Sequence, residues 1–123
     1  MNSREELYQH LAHIAISEFP DIVQGTIIIE GKLRIIISDG SFIDIWLSEK
    51  KKGVYAYHWE RRNVNGTIYR HNNIPDKKAR KLETFPKHFH NEKEQKVEES
   101  YISNIPEEAL KYLLKFARSK LRK

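Results

Sequence analysis

Between residues 22 and 71 the chain repeats one pattern: short runs of β-branched and aromatic residues broken by Asp39-Gly40 and Asn65-Gly66. Those dipeptides suit the two-residue type I′ turn, which needs φ > 0 at both central positions. Runs 22–30, 32–38, 41–48, 54–62 and 67–71 therefore predict an antiparallel meander. In the third run Phe42, Asp44 and Trp46 alternate with Ile43, Ile45 and Leu47, which predicts a central strand covered on both sides.

Helical patterns bracket the meander. Ser3-Arg4-Glu5-Glu6 reads as a capping box, and Leu7, Leu11, Ile14 and Ala15 follow at helical spacing until Pro20, so a helix is expected over about 4–18. A last helix starts near Pro106, with Glu107 and Glu108 at its positive end and Leu110, Leu113, Leu114, Ala117 and Leu121 as its apolar stripe. Lys111, Lys115, Arg118 and Arg122 form a basic stripe beside it. Between these parts, Asp76 is placed to cap a short helix, 84–90 reads as extended or loop-like because of Pro86, 91–96 as a charged loop, and 97–103 as an edge strand. The expectation is one α+β domain over 1–123. It has an antiparallel meander sheet of four to six strands, with an N-terminal and a C-terminal helix packed on one face.

Composition removes several function classes. The chain has no Cys, which excludes disulfides, thiolate zinc sites and Cys nucleophiles. It has no Gly-rich phosphate loop. No apolar stretch approaches a membrane span, and the first residues lack the apolar core of a signal peptide, so no membrane association and a cytoplasmic location are expected. Charge is distributed unevenly. Residues 1–49 carry three Lys/Arg against eight Asp/Glu, whereas residues 50–93 carry twelve against four. A basic middle of this kind points to an anionic partner, RNA above all, because phosphate contacts release counterions.

The second hairpin is where chemistry gathers. With Asn65-Gly66 as a two-residue loop, Val64 pairs with Thr67, Arg62 with Tyr69, Glu60 with His71 and His58 with Asn73. Alternation then puts His58, Glu60, Arg62, Tyr69, His71 and Asn73 on one face. Tyr55, Tyr57, Trp59 and Ile68 take the core face, with Arg61 and Arg70 toward the rim. Such a polar face offers a general base, a general acid and a phosphate clamp. In Phe85-Pro86-Lys87-His88-Phe89-His90, an extended chain sets His88 and His90 on one side and Phe85, Lys87 and Phe89 on the other. His88 and His90 suit catalysis or RNA contact. The same residues with His58 or His71 would give an all-nitrogen metal site, although no metal-binding spacing supports it. The polar face also reads, more simply, as solvated charge pairs.

Four motifs in order carry a resemblance. They are Ser41-Phe42-Ile43-Asp44-Ile45-Trp46-Leu47-Ser48, Tyr57-His58-Trp59-Glu60-Arg61-Arg62, Gly66-Thr67-Ile68-Tyr69-Arg70-His71-Asn72-Asn73-Ile74-Pro75 and Thr84-Phe85-Pro86-Lys87-His88-Phe89-His90-Asn91. From about residue 25 onward the chain resembles the TumE family, toxins of prokaryotic type II toxin–antitoxin pairs that usually stand beside a helix-turn-helix antitoxin. The resemblance implies a growth-inhibiting toxin, and carries over His58, Arg61, Arg70, His71, His88 and His90 as motif positions. Asp76 stands where the family's motif is expected to have His after the proline. The plan is also similar to that of RelE-like ribonucleases, at the level of fold only.

The combined expectation is a metal-independent endoribonuclease that needs no cofactor. Its catalytic candidates are His58, Glu60, His71, His88 and His90. Arg61, Arg62, Tyr69, Arg70, Asn73 and Lys87 would hold the nucleic acid. RNA and a cognate antitoxin are the expected partners, and a homodimer is left open. The alternatives are a non-catalytic RNA- or partner-binding module and a His-ligated metal-dependent hydrolase.

Overall fold

The computed structural model describes residues 3–122. Helix α1 (Arg4–Glu18) begins as its sequence dictates. Ser3 Oγ accepts from the Glu6 N–H at 3.1 Å, and the Glu6 carboxylate accepts from the Ser3 N–H at 2.7 Å. Seven strands follow: β1 (Val23–Ile29), β2 (Lys32–Ile37), β3 (Phe42–Leu47), β4 (Tyr55–Arg61), β5 (Thr67–Asn72), β6 (His88–Glu92) and β7 (Val97–Glu99). They form one sheet in sequence order, every neighbouring pair antiparallel. A single helical turn, α2 (Arg62–Asn65), joins β4 to β5, and α3 (Pro106–Leu121) closes the chain. The α+β meander with a helix at each end is as expected, but the sheet is larger. The extra strand is β6, which starts two residues after Pro86; the expected edge strand is β7, shorter than its predicted range and paired with β6. Among the described residues, no helix is long and apolar enough to cross a membrane.

The turns differ from the sequence reading, and one difference matters. Glu30 and Gly31, at φ 52° and 77°, make the two-residue link between paired Ile29 and Lys32. Asp39-Gly40 lies in a three-residue loop instead, since Ile37 N–H donates to Ser41 O. Asn65-Gly66 is not a two-residue loop either: Gly66, at φ 81°, ends the α2 turn as its left-handed cap. A five-residue connection therefore replaces the expected two, and Arg61 pairs with Thr67, Trp59 with Tyr69, His58 with Arg70 and Tyr57 with His71. That slip is an odd number of residues, so it turns β5 over relative to the expectation. His71 and Tyr69 join the face of Tyr57 and Trp59, while Arg70 and Ile68 join the face of His58 and Glu60.

Both long helices cover one face of the sheet. Tyr8, Leu11, Ala15, Leu110, Leu114 and Ala117 pack on Leu33, Ile35, Ile43, Ile45, Tyr57, Trp59 and Tyr69. The Tyr8 hydroxyl fastens α1 to the sheet twice, donating to Gly31 O at 2.8 Å and accepting from Leu47 N–H at 3.0 Å. Asp21 receives Arg118 through two hydrogen bonds of 2.8 and 2.6 Å, and Lys111 pairs with Glu18. Much of the basic stripe of α3 is thus engaged by acids near the N-terminus. Among the described residues, the opposite face has no long helix over it, only the 3₁₀ turn Lys77–Ala79 near β6. β3 is therefore not covered on both sides: Phe42 and Trp46 are half-buried on this open face. The sheet's outer strands are β1, bulged between Val23 and Gly25 with Ile27 and Ile28 exposed, and the three-residue β7.

Candidate functional site

The open face carries a row of polar side chains that runs straight across five strands. Register places Arg34, Asp44, His58, Arg70 and His90 opposite one another in turn. Neighbours in such a row are about 5 Å apart along the hydrogen-bonding direction. Arg34 grips Asp44 through Nε and Nη2 at 2.8 and 3.0 Å. His58 sits between Glu60, whose Oε1 is 3.0 Å from Nε2, and Arg70, whose Nε–H donates to Nδ1 at 3.0 Å. Because Arg70 can only donate, Nδ1 is the bare nitrogen and Nε2–H points to Glu60.

The network closes on itself through the loop between β6 and β7. Glu94 accepts from Arg70 at 2.8 and 2.7 Å and from Arg62 at 3.0 Å. Arg62 returns to Glu60 through its side chain at 3.3 Å and its backbone N–H at 2.9 Å. His58, Glu60, Arg62, Glu94 and Arg70 therefore form a ring of alternating partners. Electrostatics follow the contacts. The hydrogen bonds from Arg70 hold the Glu94 carboxyl far down, at about 2. Burial depresses the His58 imidazole against the opposing pull of Glu60, so it is neutral at rest. Burial pushes the Glu60 carboxyl up, but His58 and the Arg62 N–H outweigh it and leave it below its ordinary value.

Two clefts flank this ring and share Arg70 and Glu94. One, of about 430 Å3, is lined by Lys32, Arg34, Phe42, Trp46 and His58 among others. The second, of about 410 Å3, is lined by Asn72, Asp76, Lys77, Lys78, His88 and His90. The two meet at Arg70 and Glu94, a polar trough with Lys32 and Arg34 lining one part and Lys77 and Lys78 the other. Arg62 adds another cation at its wall, with its side chain 54% exposed. This arrangement can clamp a phosphate, and it brings a neutral imidazole with a carboxylate behind it to the same place.

The sequence-predicted residues divide between the two faces. His58, Glu60, Arg62, Arg70, His88 and His90 meet on the open face. His71 does not: it lies under α3, stacks on Phe89 at 4.2 Å and has Ser100 Oγ 2.7 Å from Nδ1. Burial lowers its pKa to about 3, which suits a packed neutral ring. Tyr69 is on the same covered face, stacked on Trp59 at 5.4 Å. Arg61 lies there too, under 10% exposed, bonded to Asp39 at 2.9 Å and laid over the Trp59 ring. Asn73 fastens the 50–54 turn, accepting from Tyr55 N–H and donating to Gly53 O. Lys87 donates to Ile102 O. For these five the expected convergence with His58 does not occur: the β5 register accounts for His71, Tyr69 and Asn73, and the alternation that the sequence itself indicated accounts for Arg61 and Lys87.

Sequence reasoning missed Asp44, Arg34 and Glu94 as members of the site. Asp44 had a readable signal, a lone acid in a run of Ile. Glu94 had none, since its place depends on how the loop folds back over Arg70. A search of curated proteins and a search of solved structures found no match. A family model does match, that of Toxin TumE, over residues 5–121. With nearly its whole length matched, the chain belongs to the TumE toxin family.

Proposed function

We propose that this toxin cleaves RNA on the open face, and that His58 is the base. The observation that carries the reading is the contact between His58 Nδ1 and Arg70 Nε–H inside a trough rimmed by cations. At rest, Arg70 is spent on Glu94 and on His58. An incoming phosphodiester offers Arg70 and Arg62 two oxygens in the same bidentate geometry as the Glu94 carboxylate. As Arg70 turns to it, Nδ1 of His58 is released beside the bound phosphodiester. That nitrogen takes the 2′-OH proton, and the 2′-oxygen attacks the adjacent phosphorus. Glu60 steadies the imidazolium through Nε2–H. The bond to the 5′-oxygen breaks, leaving a 2′,3′-cyclic phosphate and a 5′-hydroxyl. Across Arg70, His88 or His90, protonated at Nε2, faces the leaving oxygen and gives it that proton. The base and the clamp consist of protein side chains alone.

The test is single-turnover cleavage of a structured RNA by purified protein. His58→Ala is expected to slow cleavage by about 10²–10⁴-fold while the thermal melt stays put. Wild-type protein that binds RNA and leaves it intact would establish the non-catalytic binding reading instead. The partner that restrains this activity is taken to be a cognate antitoxin with a helix-turn-helix domain. Co-expression of the neighbouring gene should relieve growth arrest.

A further inference from the structure

We infer that Asp76, His88 and His90 form a binding site for one divalent transition-metal ion, zinc by the chemistry of the donors. This goes beyond the reading above, and its test does not pass through RNA cleavage. His88 and His90 are two apart on β6, so both project to the open face. Asp76 comes from the start of the 3₁₀ turn at Lys77–Ala79, where its Oδ1 accepts from the Lys78 N–H at 2.9 Å. One ligand atom from each of the three lies within 4.8 Å of the others. Bonds of about 2.0–2.1 Å to a tetrahedral ion require ligand atoms roughly 3.3 Å apart, a contraction that side-chain rotation supplies.

The tautomers are already set for this task. His88 Nδ1 lies 2.9 Å from Pro86 O, and His90 Nδ1 lies 2.8 Å from Glu94 O. A carbonyl oxygen only accepts, so each Nδ1 carries the hydrogen and each Nε2 presents a lone pair. Backbone carbonyls commonly orient metal-bound imidazoles in this way. Neither Nε2 has a hydrogen-bond partner among the described residues, although the two side chains are only 1% and 4% exposed as residues. With each Nδ1 committed to a backbone carbonyl, the nitrogens left to meet the Asp76 carboxylate are the two Nε2 atoms, and no hydrogen bond among the described residues uses them. Two nitrogens and one oxygen suit zinc and disfavour magnesium or calcium, which prefer all-oxygen sites.

Three protein ligands leave a coordination position open. It faces the cleft shared with Arg70, Lys77 and Lys78, where a phosphate oxygen would complete the shell. Those cations oppose an isolated metal ion and favour the anion that binds with it.

The experiment uses tag-free full-length protein stripped with a chelator, titrated with Zn²⁺ by calorimetry and with Co²⁺ by visible absorption. One equivalent is expected, with cobalt bands of a low-coordinate site. Asp76→Asn should weaken binding by at least about tenfold. Asn caps a turn as well as Asp does, so its metal-free melt should match wild type. His90→Gln should weaken binding likewise, and His58→Ala should bind zinc as wild type does while losing cleavage. No binding, or wild-type binding by both Asp76→Asn and His90→Gln, overturns the site. Loss of zinc binding in His58→Ala also overturns it, because the ion would then sit elsewhere.

Discussion

Glu94 lies between two guanidiniums, those of Arg62 and Arg70, the position that the proposed reaction assigns to the substrate phosphate. Its removal should therefore help binding. Glu94→Gln keeps the shape but gives up the charge, so the variant should bind single-stranded RNA several-fold more tightly at low salt, read by fluorescence anisotropy. Unchanged or weaker binding would show that Arg62 and Arg70 do not serve RNA. His71 makes a different kind of prediction. Its folded pKa, about 3, is below the ordinary value of 6.5. Between these values the unfolded chain binds a proton that the folded chain refuses. Stability from His71 is thus complete above about pH 6.5 and is lost as pH falls toward 3, by up to roughly 1.4 kcal/mol per unit. Denaturant melts at pH 7.5 and pH 5 should show a smaller acid loss for His71→Gln than for wild type. At this scale the sequence was legible where a contact is local. His58 and Glu60 share a face because they are two apart, whatever their strand pairs with. His71 reaches its face only through cross-strand register, which no local pattern encodes.

The connection between β4 and β5 shows why elements were easier to place than their pairing. Asn65-Gly66 announces a turn in either case, because both a hairpin and a helical turn use glycine at positive φ. The choice was made by Arg62 and Asn63, which extend the loop as a helical turn whose first N–H is tied to Glu60. Helix α1 posed no such problem, since its capping box and apolar spacing lie within one segment. β6 was hidden by Pro86, which bars a strand through itself but not one beginning two residues later. The anchoring of α1 can be tested at Tyr8. Tyr8→Phe keeps the ring in the core but strips Gly31 O and Leu47 N–H of a shared partner. A loss of about 1–3 kcal/mol in urea unfolding is expected, with RNA cleavage intact once folded.

The whole molecule separates two tasks by face. The long helices and most of the aromatic rings occupy one side of the sheet, and the ring around Arg70 occupies the other, beside Phe42 and Trp46. Substitutions should sort accordingly, those at Tyr8 or His71 moving the melt and those at His58 moving the chemistry. The open side presents Lys32, Arg62, Arg70, Lys77 and Lys78 around its clefts. If three to five of these meet phosphates, log K against log salt should fall with a slope of roughly −2 to −3.5, the range expected for single-stranded nucleic acid. A flat salt dependence would exclude the trough as a polyanion surface.

An unclosed sheet also leaves two outer rims, and they are not equally guarded. β7 is short and bears Glu98 and Glu99, which discourage any strand from adding there. β1 runs seven residues with Ile27 and Ile28 uncovered, blunted only by the irregularity at Gly25. Assembly by strand addition, whether by a second molecule or by misfolded aggregates, would therefore start at β1, and a lysine at position 27 is the change that would block it.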